Sequence, residues 1–140
     1  MNLASRLESL SKAYGADIVA GEHTRMHILR HHSEDALPFY FRLLDMVQVK
    51  GKSEGGAIYE IGSKETQPGY VSLLQEYTAA RHLLAQKKFE EAIVLLQGMK
   101  QQFPQDKATH KLLMRCYRYR DLQELYDLEY NNGIRVMMRK

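Results

Sequence analysis

The feature that most constrains the fold of this chain is a change in hydrophobic periodicity on either side of residues 63–69. Just before this segment, around residues 47–52, apolar and polar residues alternate as they do in β-strands. Beyond it, from Leu73 to Tyr119, apolar residues recur every three to four positions, as in α-helices. The segment itself is polar and contains one proline and one glycine, which is typical of a linker. The sequence therefore predicts an α+β chain in which a sheet-forming part precedes a helical part.

The predicted boundaries are residues 1–62 for the first part, 63–69 for the linker and 70–140 for the helical part. Within the first part, a strand over residues 16–20 and a helix from Glu22 to about His31 precede a hairpin. The hairpin pairs residues 39–50 with residues 57–61 and turns at two glycines, Gly55 and Gly56. An apolar stripe marks an additional helix at the beginning of the chain: Leu3, Leu7, Leu10 and Tyr14.

Asn2 and Arg6 lie on one face of this first predicted helix, since they are four residues apart. An amide beside a guanidinium suits an anion or a ribose-phosphate, because the guanidinium offers a planar fork of N–H donors to phosphate oxygens. The alternative is an ordinary surface helix with one solvated arginine.

Lys50 and Lys52 flank Gly51 on one face of the predicted strand, and Val47 and Val49 lie on the other face. Two lysines around a glycine can hold a triphosphate, with the glycine allowing close approach of the backbone. The alternative is an edge strand whose lysines keep it from pairing with other chains.

Two runs of sequence resemble the C-terminal half of a class III nucleotide cyclase catalytic domain: NLASRLESLSKAYGADIVAGEHTR and FYFRLLDMVQVKGKSEGGAIYEI. The resemblance implies a partial, ferredoxin-like half-domain and an enzyme that works as a dimer. It also implies that Asn2 orients the ribose and that Arg6 stabilises charge on the reacting phosphate. Lys50 or Lys52 would contact the triphosphate.

The same resemblance implies that essential groups are supplied from elsewhere. In the family, the metal-binding aspartates and the residues that read adenine precede the Asn/Arg helix. The chain is therefore expected to be a fragment of an adenylate cyclase, which converts ATP to cyclic AMP and pyrophosphate, and to be inactive alone. The intact parent would use Mg or Mn, with no metal bound by this chain alone, and would need the missing half or a homodimer partner.

The helical part places Ala80, Phe89, Ala92, Leu96 and Pro104 where a tetratricopeptide repeat has its characteristic residues. It resembles the helical extension that follows the catalytic domain in some bacterial adenylate cyclases. Three helices are expected between Leu73 and Tyr119, and Ile134 to Met138 forms either a closing strand or an ordered tail. A different function remains open, namely a non-catalytic regulatory module that binds a cyclase or another protein through these helices.

Other classes of function are disfavoured. His23, His27 and His31 are spaced as metal ligands can be, but they lack accompanying ligands and indicate a solvated helix face. Basic and aromatic residues alternate over residues 115–120, but four acidic residues follow, which argues against nucleic acid. The single cysteine, Cys116, and the lack of an apolar run of about 18 residues predict a cytoplasmic chain without a membrane segment. Any membrane anchor would belong to the rest of the parent.

Overall fold

The structure, a computed structural model, describes residues 12–49, 56–131 and 134–137 and has α+β architecture. Residues 12–14 are helical and end at Gly15, which takes a positive φ. The strands are β1 (Val19–Gly21), β2 (Phe39–Val49), β3 (Gly56–Ser63), β4 (Tyr130–Asn131) and β5 (Ile134–Met137). The helices are α1 (Glu22–His31), α2 (Tyr70–Ala85), α3 (Phe89–Gln102), α4 (Lys107–Asp121) and α5 (Gln123–Glu129).

Most of the predicted elements are confirmed within the described residues. The helix from Glu22 to His31 and the three helices between Leu73 and Tyr119 are present. The first strand begins three residues later than predicted, at Val19. The seven-residue helix α5 was not predicted, because so short a segment shows too few turns for its periodicity to be read.

Among the described residues, strand β2 lies at the centre of a sheet of five strands with the order β1-β3-β2-β5-β4. It pairs with β3 in antiparallel fashion and with β5 in parallel fashion, Val47 lying opposite Arg135. The segment at Ile134 is therefore a closing strand. Since β2 has a neighbour on each side, the interpretation of this strand as a lysine-protected edge is wrong.

A β-bulge in β2 brings two consecutive side chains to the same side of the sheet. Leu43 pairs with Tyr59 and Asp45 with Ile58, so that Leu44 is the extra residue. Leu44 and Asp45 are both buried, and both face helices α2 and α4. The bulge therefore places a carboxylate inside the boundary between sheet and helices.

The hydrophobic core is continuous across the predicted linker. Leu44, Val47 and Ile58 of the sheet belong to the same buried cluster as residues of helices α2 to α5. Within the helical part, Ala80 and Ala92 are fully buried, as close approach of neighbouring helices requires. The boundary at residues 63–69 stays a prediction, but burial of apolar surface links the two parts energetically.

Gly62 lies against the ring of Tyr40, which is buried and stacks on Tyr70 with ring centroids 5.3 Å apart. A Cβ at Gly62 would overlap that ring. We expect Gly62→Ala to lower the free energy of unfolding by about 1–3 kcal/mol, the usual effect of overpacking, in a urea titration followed by circular dichroism. The matched control is Gly98→Ala on the exposed side of α3, where no atom lies near the added Cβ. It should stabilise the chain by about 1 kcal/mol, and equal effects of the two variants would contradict the prediction.

Candidate functional site

The residues predicted to act on phosphate and ribose are Asn2, Arg6, Lys50 and Lys52, and all four lie outside the described residues. The structure does describe the segments that adjoin them. On the side of Arg6, residues 12–14 are helical and end at Tyr14. On the side of Lys50, β2 is described up to Val49, the residue directly before it. These flanking segments meet at one buried carboxylate.

That carboxylate is Asp45, at the bulge of β2. The hydroxyl of Tyr14 donates a hydrogen bond to Asp45 Oδ2 at 2.8 Å, and the hydroxyl of Tyr130 donates to the same oxygen at 2.6 Å. The backbone N–H of Met46 donates to Oδ1 at 2.9 Å. Asp45 thus joins the end of the first helical segment to β2 and β4.

Two arginines from the helical part complete this cluster. Arg115 of α4, only 4% exposed, places Nη2 3.4 Å from Asp45 Oδ2 and donates to the hydroxyl of Tyr130. Arg81 of α2 places Nη2 3.6 Å from Asp45 Oδ1. We call Asp45, Arg81, Arg115, Tyr14 and Tyr130 the Asp45 cluster.

Two guanidinium groups lie close to the ring of Tyr14. The Cζ atoms of Arg115 and Arg135 are 4.9 Å and 5.2 Å from its centroid. Burial, reinforced by the nearby charge of Asp45, raises the pKa of Tyr14 far above its usual range. The tyrosine is therefore neutral near pH 7 and keeps its proton for the hydrogen bond to Asp45.

A second buried ion cluster links the sheet to the start of α4. Arg42 of β2, 1% exposed, donates from Nη1 and Nη2 to the two carboxylate oxygens of Asp106, each at 2.7 Å. Its Nε donates to Glu60 Oε1 at 2.8 Å, and its Cζ lies 4.7 Å from the ring centroid of Tyr77. Asp106 is also the N-cap of α4, because it accepts hydrogen bonds from the N–H and hydroxyl of Thr109.

The two carboxylates around Arg42 respond differently to their surroundings. Burial raises the pKa of Glu60, and the attraction of Arg42 only partly opposes it. Burial also acts to raise the pKa of Asp106, but its hydrogen bonds to Arg42 and Thr109 outweigh this and hold the pKa below its ordinary value. Asp106 is thus firmly ionised at neutral pH, as a bidentate partner of arginine should be.

Sequence reasoning missed both clusters, although one signal was present. Arg42 and Asp45 interrupt the aromatic and apolar run over residues 39–47, and charged residues at buried positions need partners. Their partners Asp106 and Arg115 lie 64 and 70 residues away in the chain. The signal could therefore have identified the strand as unusual, but not the residues that pair with it.

The two alternative sites considered from sequence gain no support. His23, His27 and His31 are exposed, and among the described residues no group of three or more His, Cys, Asp or Glu side chains is arranged to hold a metal ion. Arg115 and Tyr119, from the basic and aromatic run, are buried inside the helical part and cannot contact nucleic acid. In the part of the chain that the structure describes, no helix has the length and apolar character needed to cross a bilayer.

Comparison with known proteins gives one match of functional interest. No family model matches the chain, and no solved structure matches it. The chain is 33% identical over 132 residues to the terminal-differentiation-specific adenylate cyclase of Dictyostelium discoideum. The alignment covers 92% of this chain but 6% of that protein, so the chain spans only a small part of its relative's length. Over nearly all its residues, from sheet to helices, this chain is therefore similar to one region of an adenylate cyclase.

Proposed function

We propose that the chain is part of a class III adenylate cyclase, comprising the C-terminal part of the catalytic domain (residues 1–62), a linker (63–69) and a tetratricopeptide-like extension (70–140). The observation that carries the proposal is the 33% identity to an adenylate cyclase over 92% of the chain. An alignment of that extent must include most of both the sheet-forming and the helical parts. The proposal is also supported by the order of the motif residues, since Asn2 and Arg6 precede Lys50 and Lys52 as the corresponding motifs do in the family.

In the proposed reaction the ribose 3′-oxygen of ATP forms a bond to the α-phosphorus, and the bond from that phosphorus to pyrophosphate breaks. Asn2 would orient the ribose, and Arg6 would stabilise the negative charge that develops on the α-phosphate. Lys50 or Lys52 would hold the triphosphate by charge attraction.

The family's Mg or Mn does not fit the described residues of this chain. These residues contain no suitable group of three or more His, Cys, Asp or Glu side chains. We propose that the metal ligands belong to the partner half of the catalytic domain, so that this chain supplies phosphate and ribose contacts only. Alone, it should make no cyclic AMP.

The Asp45 cluster would support these contacts without touching the substrate. Tyr14, held by its hydrogen bond to Asp45, is the last of helical residues 12–14, which follow Arg6 in the sequence. Asp45 lies on β2, whose described residues end at Val49, directly before Lys50 in the sequence. A rigid connection between these two segments is what preorganised contacts to one triphosphate would require.

The test is reconstitution of cyclase activity from two halves. The full chain is mixed or co-expressed with the upstream half of the parent cyclase catalytic domain, and cyclic AMP formation from ATP is measured with Mg and with Mn. We expect activity only when both halves are present. Arg6→Ala should then reduce kcat about 100-fold or more, because it removes one donor to transition-state charge.

Arg30→Ala is the matched control, since Arg30 is an exposed arginine in the last turn of α1. It should leave kcat unchanged. Turnover by the chain alone that depends on Arg6 would contradict the expected need for a partner. A stable complex of both folded halves that makes no cyclic AMP would contradict the proposed function.

A second candidate function is a protein-interaction module that pairs with a cyclase or another protein. The helical part exposes Val94, Leu122 and Leu128 to solvent, the last being 78% exposed. Apolar side chains at a surface favour association when they form a patch. Co-purification with a cyclase without any gain in turnover would favour this function over the catalytic one.

A further inference from the structure

A small polar cavity lies inside the Asp45 cluster, between the sheet and helices α2 and α4. Its volume is about 20 Å³, which is enough for one water-sized species. Its polar lining comes from Asp45, Arg81, Arg115 and Tyr130, and its apolar lining from leucine and alanine side chains. Arg81 is the most exposed of the three charged side chains, at 13%.

Arg115 brings hydrogen-bond donors to this cavity that the protein does not satisfy. Its Nη2 is occupied by Asp45 and Tyr130, but Nε and Nη1 are buried and have no hydrogen-bond acceptor in the part of the chain that the structure describes. Arg115 keeps its charge despite its burial, because a guanidinium stays protonated far above neutral pH and Asp45 lies beside it. A guanidinium that stays charged and keeps unsatisfied donors in a low-dielectric site favours an acceptor beside it.

The charges around the cavity do not balance. Arg81 and Arg115 contribute two positive charges, whereas Asp45 contributes one negative charge. Tyr14 and Tyr130 add none, because burial raises both of their pKa values. The nearby Arg135 is compensated by Glu129, at 3.6 Å. Among the charged side chains that line the cavity, one positive charge therefore remains in excess.

We propose that this cavity binds one small monovalent anion of the halide class, held by Arg115 and Arg81. A water molecule would satisfy the donors but not the excess charge, and an anion does both. Phosphate, sulfate and carboxylate ligands are much larger than the volume available, whereas a halide ion is only slightly larger than a water molecule. The anion would strengthen the contact of α2 and α4 with the bulge of β2, so that the stability of the chain depends on the kind of salt present.

The first test is thermal unfolding of the full chain at constant ionic strength, with sodium chloride or bromide replacing sodium gluconate, whose anion cannot enter the cavity. A ligand that binds only the folded state stabilises it. We therefore expect Tm to rise by about 4 °C when the halide concentration is ten times its dissociation constant. Arg81→Gln should abolish the rise, since it restores charge balance. Arg30→Gln, which removes an exposed arginine from α1, should leave the rise intact.

The second test locates the ion directly. Crystals of the full chain grown in bromide should give an anomalous peak in the cavity beside Arg115. A water molecule in the cavity would overturn the proposal. So would an adventitious ion only, that is, bromide bound at surface positions and absent from the cavity. So would equal Tm values in chloride and gluconate, or a halide effect that persists in Arg81→Gln.

Discussion

Replacing Arg42 with alanine should lower the free energy of unfolding by about 3–5 kcal/mol, because it leaves two largely buried carboxylates without their counter-ion. Glu60 and Asp106 both bond to this guanidinium, and their side chains are 14% and 8% exposed. Urea-induced unfolding followed by far-ultraviolet circular dichroism measures the loss. Since Arg42 belongs to the sheet and Asp106 caps α4, sheet and helices should unfold in one transition.

The control for this prediction is Asp17→Asn, which breaks the ion pair between Asp17 and Lys107. That pair also connects the sheet-forming part to α4, but both side chains are largely exposed. Exposed ion pairs add little stability, so the midpoint of unfolding should hardly change. If Arg42→Ala were as mild as Asp17→Asn, the Arg42 contacts would not be a main connection between sheet and helices.

Asp45→Ala should be similarly destabilising, by about 3–5 kcal/mol in the same measurement. The substitution removes the acceptor of the Tyr14 and Tyr130 hydroxyls and leaves Arg115 buried with an uncompensated charge. Hydrogen bonds to a charged group in a low-dielectric site are among the strongest in a protein. The loss should therefore exceed that of an ordinary surface carboxylate.

A double-mutant cycle separates the charge effect from lost packing. Once Asp45 is absent, Arg115→Met removes the unpaired charge, so the double variant should lose about 1–3 kcal/mol less than the sum of the single variants. If the two losses simply add, to within about 0.5 kcal/mol, then Arg115 and Asp45 do not act as a pair, and the Asp45 cluster would have to be interpreted as packing alone.

The sequence predicted the helical part well, because its signal is local. The apolar period between Leu73 and Tyr119 is set by each helix's own buried face, as the burial of Ala80, Ala92 and Leu96 illustrates. The beginning of β1 was predicted wrongly because it depends on a contact between residues far apart in the sequence. Gly15 contacts the backbone of Lys107, so the chain packs on α4 before it enters the sheet.

The candidate site was less predictable than the fold. The family motif identified Asn2, Arg6, Lys50 and Lys52, which stay predictions. The buried charges of the two clusters depend on pairings between residues far apart in sequence, such as Asp45 with Arg115. A single sequence shows that a charged residue interrupts an apolar strand, but it does not show which distant residue neutralises it.

The parallel pairing of β5 with β2 has a consequence for how the chain folds during synthesis. Strand β2 leaves the ribosome before all of α2 to α5, and the residues that pair along its second side emerge only after them. Until then, the central strand has an open edge that can pair with other nascent chains. Closing so long a loop is slow, because its entropy must be lost before the final contacts form. The helices therefore have time to form first, and we expect completion of the sheet to be a late step in folding.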